Sequence, residues 1–316
     1  MAAISAPTIP ARHEAFYQPM NLSLRLLSNS QTIMAAAQQS FGGFGAASPT
    51  PTPDLTFHLF EHTVDEAEPA PPRYRKDGDI IYQTTDGVST LVADRQAGVA
   101  YGYFSKAVLA NPVFFRWHFL ELAFFVMLEP RGLMGVHGAA LAKNGRAILL
   151  RAASGGGKTT LAYAGARQRF QALAEDVVWL DVKRNLWWGT PWSFHLLPDA
   201  KDLFPELAEH QPLLQINGER KLEVTLEQMR PGSTTVTAQP GAVVFVERAA
   251  GQASRLEAID TATAKTIWLD SFAGAEMDFP NYHDHVNALL TNNAYRLQSG
   301  DDLESSLNLL ETLFEG

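Results

Sequence analysis

The sequence predicts an α/β protein whose C-terminal domain, residues 131–316, follows a small β-rich lobe. Three observations lead to this fold class. An Asn144-Gly145 pair between two apolar runs indicates a β-hairpin, and a glycine-rich loop then separates the second apolar run from a helical segment. Further on, the apolar run GAVVFVER at 241–248 is typical of a buried strand. Strands that alternate with helices in this order are the pattern of an α/β domain.

The first 53 residues are rich in Ala, Ser, Pro, Gln and Gly and end in AASPTPTP. A segment of this composition buries too little apolar surface to offset its chain entropy. We therefore expect residues 1–53 to form a largely mobile tail, although a short apolar patch at 22–27 could dock on the folded body.

Residues 54–130 have the pattern of a small, mainly antiparallel β-rich lobe with one helical block. DLTFHLFEHTV predicts a strand, EAEPAPPRYRKDGD predicts a loop, and IIYQTTDG, VSTLVAD and AGVAYGYF predict three more short strands. The block at 112–129 predicts a helix, because Pro112 suits a first helical turn and Pro130 ends one.

The hairpin fixes the register of the next segment. A two-residue turn at Asn144-Gly145 pairs Lys143 with Arg146. Continued outward, the same register brings His137 opposite the point where the second strand runs into the glycine-rich loop.

A helix is predicted from about Thr159 to Gln168. Its small side chains repeat at i, i+4 and would let it lie close to a sheet: Leu161, Ala162, Gly165 and Ala166. A further strand at about 171–181 follows, and NLWWGTPW is expected to return antiparallel to it. The final LESSLNLLETLF predicts an amphipathic helix.

Residues 152–159 read A-A-S-G-G-G-K-T and fit the phosphate-binding pattern G-x-x-x-x-G-K-[ST] except at Ala152. Glycines let backbone N–H groups approach phosphate oxygens and form one anion-binding nest. Ala152 ends a strand, where a negative φ makes alanine acceptable. We expect the phosphates of a nucleotide to be bound by Ser154, Gly155, Gly156, Gly157, Lys158, Thr159 and Thr160.

Two side chains of this loop have predicted roles beyond the backbone. Lys158 would bring its charge to the β- and γ-phosphates of ATP or another nucleoside triphosphate, and Thr159 would offer its hydroxyl to Mg²⁺. The positive end of the following helix dipole adds to the same field. The alternative is a glycine-rich turn that happens to precede Lys-Thr; a strand before the loop and a helix after it favour the phosphate-binding interpretation.

Two carboxylates and a histidine complete the candidate site. Glu175 and Asp176 follow QALA, where a neighbouring strand should emerge beside the glycine-rich loop. We predict that Glu175 acts as base for an incoming hydroxyl and that Asp176 contacts Mg²⁺. His137 would position the γ-phosphate or influence the carboxylates. The alternatives are a solvated strand end for the carboxylates and a satisfied sheet histidine for His137.

The segment 137–177 resembles the catalytic domain of HPr kinase/phosphorylase and its kinase-like relatives. That family has a His-Gly strand, a hairpin, a G-x-S-G-x-G-K-[ST] loop and an Ala-Asp-Asp element. The matching residues are His137-Gly138, then Ser154, Gly155, Gly157, Lys158 and Thr159, then Ala174-Glu175-Asp176. The resemblance covers about 40 of the 316 residues. It implies a mixed sheet with the P-loop at one end, a fold shared in outline with phosphoenolpyruvate carboxykinase.

The resemblance also implies an activity. It suggests a Mg²⁺-dependent kinase that transfers the γ-phosphoryl group of ATP or another nucleoside triphosphate to a hydroxyl. Related kinases accompany peptide-modification pathways, which keeps a serine of a small protein or peptide open as acceptor. Glu175 replaces the family's catalytic Asp, and GTPWSFH at 189–195 stands where the phosphorylase signature would be expected. The Asp-to-Glu change favours an alternative, a nucleotide-binding sensor or scaffold without turnover; simple nucleotide hydrolysis is a third.

Composition excludes several other classes of function. With 25 Lys+Arg against 34 Asp+Glu, a formal charge of −9 and no basic run, nucleic-acid binding is not expected. The absence of cysteine excludes disulfides, thiolate metal sites and a cysteine nucleophile. There is no secretory h-region and no uncharged 18-residue span, so we expect a cytoplasmic protein without a membrane partner. Homo-oligomer formation stays open.

Weaker features lie in the C-terminal half. His283-Asp284-His285 is read as a polar helix start rather than a metal site, because no third ligand is evident. A tryptophan group could form an apolar wall beside the site or belong to the core: Trp187, Trp188 and Trp192. The same turn carries polar residues that could touch an acceptor: Thr190, Ser193 and His195.

Overall fold

The computed structural model describes residues 10–63, 69–85, 87–153, 155–215, 218–270 and 279–315. The chain divides into two compact units, one up to Arg131 and one from Gly132 onward. Within the described ranges, every helix is too short or too polar to span a lipid bilayer.

The N-terminal unit contains one mixed sheet. Among the described residues its strands are β1 His13–Tyr17, β2 Leu24–Ser28, β3 Leu55–Glu61, β4 Arg73–Asp77, β5 Ile80–Thr85, β6 Ser89–Asp94 and β7 Val99–Phe104. They lie in the order β1-β2-β3-β7-β6-β5-β4. β3 is parallel to both β2 and β7, and the other neighbours are antiparallel. The helices are α1 Gln31–Phe41, α2 Lys106–Ala110, α3 Pro112–Phe115 and α4 Leu122–Phe125.

The predicted mobile tail is corrected by this sheet. β1, β2 and α1 all lie within the first 53 residues, and Leu24, Leu26 and Ile33 are fully buried. The segment is ordered because apolar residues alternate in LSLRLLS, so they share one face of a strand. This strand, β2, pairs in parallel with β3. A composition averaged over the whole segment conceals that alternation.

Two other predictions for the N-terminal unit changed in detail. The predicted loop EAEPAPPRYRKDGD contains β4, which pairs with β5 through a tight turn at Gly78. The predicted helical block at 112–129 is present, but a π-helical turn at Arg116–Glu121 separates α3 from α4.

The C-terminal unit is built on a larger mixed sheet. Among the described residues its strands are β8 Leu133–His137, β9 Ala139–Lys143, β10 Arg146–Arg151, β11 Gln171–Ala174, β12 Val177–Asp181, β13 Leu186–Trp188, β17 Thr237–Arg248, β18 Arg255–Ala258 and β19 Ala294–Ser299. The main path runs β11-β9-β10-β17-β13-β12-β8, with β19 on β17 and β18 on β19. A smaller sheet contains β14 Phe194–Leu196, β15 Leu213–Leu214 and β16 Arg220–Val224. The α/β class predicted from the sequence is therefore present, with mixed sheets.

The C-terminal unit also contains α-helices, and the longer ones contact the sheet. The helices are α5 Lys158–Gln168, α6 Ala200–Leu203, α7 Leu226–Met229, α8 Thr261–Asp270, α9 Tyr282–Leu290 and α10 Leu303–Glu311. The small face predicted for α5 is buried, and a Cβ added at Gly165 would lie 2.8 Å from Leu141 Cδ1. The predicted amphipathic C-terminal helix is α10, whose Leu307 and Leu310 are buried.

The predicted hairpin is confirmed. Lys143 faces Arg146, and both Asn144 and Gly145 have positive φ, 53° and 77°, as a type I′ turn requires. The predicted buried strand at 241–248 is the inner part of β17, and NLWWGTPW returns as β13 antiparallel to β12.

The strand predicted at about 171–181 is instead two strands. β11 pairs with β9, β12 pairs with β8 and β13, and Glu175-Asp176 forms the junction between them. The predicted hairpin position of His137 is corrected for the same reason. The chain changes direction at Gly138, whose N–H donates to the Asp176 carbonyl at 2.8 Å, so His137 ends β8 and pairs with Val177.

Candidate functional site

The glycine-rich loop leaves β10 and opens α5. Gly155 and Gly157 have φ of 75° and 87°. Apart from their neighbours in the chain, no heavy atom of the described residues lies within 4 Å of the position that a Cβ would take on either glycine. Ala152 does not have a positive φ, as predicted. Left-handed glycines at positions 155 and 157 suit an anion-binding turn. The N–H of Gly156, which was predicted to bind phosphate, instead donates to the Ala153 carbonyl at 2.9 Å. Ser154 lies outside the described residues.

Helix α5 begins at Lys158 without a capping side chain. Its N-cap is Gly157, and the first N–H bonded back into the helix is that of Leu161, to the Gly157 carbonyl at 2.9 Å. The N–H groups of the first turn, which includes Thr159 and Thr160, therefore stand at the positive end of the helix dipole. A phosphate at this end would receive both the loop amides and the helix terminus.

Lys158 points across the loop toward the junction between β11 and β12. Its ammonium donates to the Glu175 carbonyl at 3.1 Å and lies 3.6 Å from Asp176 Oδ1. Burial lowers the pKa of Lys158; the carboxylates of Asp176 and Glu175 oppose that shift, and Arg151 adds to it. A buried lysine with a depressed pKa gains from negative charge placed beside it, which a polyphosphate supplies.

The structure brings the predicted carboxylates and His137 to the same place. His137 Nδ1 lies 3.3 Å from Asp176 Oδ1, and the side chain of Asp176 is 58% exposed. The predicted proximity of His137 to the site is thus present, although sheet pairing of β8 with β12 produces it rather than the hairpin register.

Glu175 has a partner that the sequence analysis gave little weight. Its side chain is only 13% exposed, and Oε2 lies 3.0 Å from Nδ1 of His195 on β14. β14 pairs with β16, so Glu223 stands opposite His195 and accepts a hydrogen bond from Ser193 Oγ at 3.2 Å. A carboxylate held by a histidine is oriented more strictly than one at a solvated strand end.

His195 reaches Glu175 because a glycine allows the intervening chain to pass close to β11. A Cβ added at Gly189 would lie 1.8 Å from the Leu173 carbonyl oxygen. Gly189 is tied to the neighbouring chain by its N–H, which donates to the Val236 carbonyl at 3.1 Å. The only sequence signal for this contact is the glycine in GTPWSFH, which does not name its partner.

His195 makes the stability of the fold depend on pH. Burial lowers its pKa, but the hydrogen bond to Glu175 and the charges of Glu175 and Glu223 outweigh burial and the opposing charge of Lys221. The net pKa is therefore raised above the ordinary value of about 6.5. Because the pKa of His195 is higher in the folded state, protonation of His195 stabilises the fold. This stabilisation is complete at pH values below the pKa in the unfolded chain, and it is lost as the pH rises through the pKa in the folded state.

We expect this linkage to be visible in unfolding experiments. His195→Gln should lower the free energy of unfolding most at pH ~5.5 and less at pH ~9. Urea unfolding of the unmodified protein and of the variant measures this difference. His283→Gln, at an exposed position on α9, is the matched control and should show no such trend. A difference for His195→Gln that stays constant or grows with pH would contradict the assigned interaction.

Arg151 is a site neighbour that the sequence analysis missed. This arginine ends β10 directly before the glycine-rich loop and is 2% exposed. Its Nη1 donates to the His137 carbonyl at 3.0 Å, and its guanidinium carbon lies 3.8 Å from the ring centroid of Trp268. A charged residue at the end of the apolar run AILL was the available signal. Arg151 therefore ties β8 to β10 beneath the site.

The residues fit the predicted Mg²⁺ as part of a nucleotide complex. Within the described ranges, His, Asp and Glu side chains form no cluster of three that could hold a metal ion by themselves. Mg²⁺ commonly takes one or two carboxylates together with phosphate oxygens. Asp176 presents an exposed carboxylate next to Lys158, and Thr159 on the first turn of α5 presents a hydroxyl.

The histidines at 283 and 285 and the tryptophans at 187 and 188 lie in different parts of the C-terminal unit. His283-Asp284-His285 lies in the first turn of α9, as predicted for a polar helix start. Trp187 is buried in the core, while Trp188 pairs with Trp179 of β12 and is partly exposed. The core interpretation therefore holds for Trp187.

Comparisons with known proteins add little to this geometry. No family model matches the sequence, and no curated protein matches it. Among solved structures, 44 chains match. One is the Hpr(Ser) kinase/phosphatase from Coxiella burnetii, with a TM-score of 0.29 and 12% identity over 57% of this chain and 93% of that chain.

Proposed function

We propose that the C-terminal unit is a kinase that transfers the γ-phosphoryl group of ATP or another nucleoside triphosphate to a hydroxyl. The observation that carries this proposal is the convergence at the glycine-rich loop: Nζ of Lys158 at the start of α5 lies 3.6 Å from Asp176 Oδ1, beside a part-buried Glu175. The resemblance of residues 137–177 to HPr kinase/phosphorylase supports the same reaction. A serine of a small protein or peptide is the acceptor class we favour.

In this proposal the chain's own residues bind, orient and move a proton. The loop amides and Lys158 hold the β- and γ-phosphates. Thr159 with Asp176 would hold Mg²⁺, which would neutralise charge on the transferring group. His137, 3.3 Å from Asp176, stands next to that group. His195, through Nδ1, fixes the Glu175 carboxylate.

The transfer step is an in-line displacement at the γ-phosphorus. Glu175 accepts the proton of the acceptor hydroxyl, whose oxygen forms a bond to the γ-phosphorus. The bond from the γ-phosphorus to the β,γ-bridging oxygen breaks, and the nucleoside diphosphate leaves. In this arrangement His195 is a positioning residue and Glu175 a catalytic one.

Nucleotide binding gives the first test. Mg-ATP at a hundred times its Kd should stabilise the protein by about 2.7 kcal/mol, a rise in Tm on the order of 5–10 °C for a unit of this size. The Gly157→Ala variant should melt at the same temperature with and without Mg-ATP. A φ of 87° is strained for any residue with a side chain, so the substitution should distort the phosphate-binding loop. Gly251→Ala, at a φ of 73° in another loop, is the matched control. Absence of a shift with every nucleotide tested would mean that the loop is only a turn.

A further inference from the structure

β4 ends the sheet of the N-terminal unit. It pairs with β5 on one side, and within the described ranges no strand pairs with its other side. All five of its residues, RYRKD, are exposed. A strand in this position carries unpaired backbone N–H and C=O groups along its outer edge.

The turn geometry identifies which residues carry those groups. Gly78, with φ of 57°, begins a two-residue turn that closes the pair Asp77 and Ile80. In such a hairpin the closing pair is hydrogen-bonded, and the pattern then alternates along the strand. Arg75 and Arg73 therefore bond toward β5, whereas the backbone groups of Tyr74 and Lys76 face outward.

The charge of β4 selects among strands that could pair there. Arg73, Arg75 and Lys76 stand against Asp77 alone, in a chain with a net charge of −9. Arg75 and Asp77 lie 3.8 Å apart, but both are well exposed, so solvent screens the pair. A second copy of β4 would place cations opposite cations, which is unfavourable. An acidic strand would place carboxylates there instead.

Partly exposed aromatic and apolar side chains adjoin the same edge: Tyr74 on one face of the sheet, and Tyr82 and Val92 on the other. Tyr74, Tyr82 and Val92 are 53%, 43% and 37% exposed, and with Arg73 and Arg75 they line an open depression of about 640 Å³. Tyr82 lies opposite Arg75 on one face and Val92 lies opposite Tyr82. Side chains that alternate along an added strand would thus meet aromatic and cationic groups.

We propose that β4 is a docking edge that binds an extended acidic peptide segment as an additional strand. The outward backbone groups of Tyr74 and Lys76 supply the ladder hydrogen bonds. Arg73 and Arg75 on one face and Lys76 on the other supply charge complementarity. Tyr82 and Tyr74, on the same two faces respectively, contact apolar side chains of the segment. This docking edge does not depend on the phosphotransfer proposed for the C-terminal unit.

Fluorescence anisotropy on the full chain tests the docking edge. The probe is a fluorescein-labelled nine-residue peptide of alternating glutamate and valine, and the comparison probe has lysine in place of glutamate. We expect saturable binding of the glutamate peptide, at least tenfold tighter than the lysine peptide and weakened by salt. The double variant Arg73→Glu, Arg75→Glu should reverse that preference. Equal binding of the two peptides would overturn the proposal.

Two matched proteins isolate the backbone contribution. Lys76→Ala removes a charge and keeps the N–H, whereas Lys76→Pro also removes an N–H that faces away from β5 and so is tolerated at an edge. Lys76→Pro should bind the glutamate peptide at least tenfold more weakly than Lys76→Ala. A glutamate peptide with alternate amides N-methylated should show the same loss on the unmodified chain, which covers the case of a misfolded variant. Unchanged binding of the methylated peptide would exclude strand addition.

Discussion

Lys158→Ala should abolish phosphoryl transfer while leaving the chain folded. The ammonium of Lys158, at the start of α5, lies 3.6 Å from Asp176 Oδ1, and in the proposed function it holds the β- and γ-phosphates. Removing one preorganised group that stabilises developing charge costs a factor of about 10²–10³ in rate, and this charge serves binding as well. Transfer of labelled phosphate to an acceptor measures the loss.

The fold should survive this change for a physical reason. Burial already lowers the pKa of Lys158, so the folded chain bears a desolvation cost that alanine removes. Asp176, the carboxylate that loses its partner, is 58% exposed and can be solvated. Lys183→Ala, at an exposed position, is the matched control and should keep full activity. Undiminished transfer by Lys158→Ala would refute the assignment of the loop.

Glu175→Gln should separate nucleotide binding from transfer. The substitution keeps the shape of the side chain and an oxygen that can accept a hydrogen bond from Nδ1 of His195, which lies 3.0 Å from Glu175 Oε2 in the unmodified protein. The glutamine amide cannot take a proton from the acceptor hydroxyl. Loss of a general base typically costs about 10²–10⁴ in rate. The variant should therefore keep the rise in Tm with Mg-ATP and lose transfer in single-turnover measurements.

This experiment also discriminates between the functions that the sequence left open. A nucleotide-binding sensor or scaffold would show the rise in Tm without transfer in the unmodified chain. A hydrolase would release phosphate in the absence of any acceptor. Glu209→Gln, an exposed carboxylate in the same unit, should leave transfer unchanged. Full transfer by Glu175→Gln would remove Glu175 from the mechanism.

Local patterns predicted the parts of the fold that depend on neighbours in sequence. The Asn144-Gly145 turn set the register of β9 and β10, because few residues other than Asn and Gly tolerate φ > 0 at both turn positions. The small face of α5 and the apolar run of β17 are equally local signals. Averages over long segments failed, since composition concealed the alternation that makes β2 a strand.

Some residues of the candidate site were likewise predictable from local sequence, whereas others depend on contacts between distant segments. The glycine-rich loop, Lys158 and the Glu175-Asp176 pair are adjacent or regularly spaced along the chain, so their residue types and order indicate phosphate chemistry without a structure. His195, which lies 20 residues beyond Glu175, has no such spacing rule. Its contact requires β14 to pair with β16 and Gly189 to pass against β11.

Residue patterns alone therefore predict the α/β class, the hairpin, the strand–loop–helix order and the residues of a candidate phosphate loop. Three features emerge only in the folded chain: the N-terminal segment belongs to a sheet, β11 and β12 separate at Glu175-Asp176, and His195 and Arg151 border the site. The difference lies in the range of the interactions. Turn conformation and amphipathic period act over a few residues, whereas sheet order and side-chain partners follow from which distant segments pack together, and no short pattern specifies that.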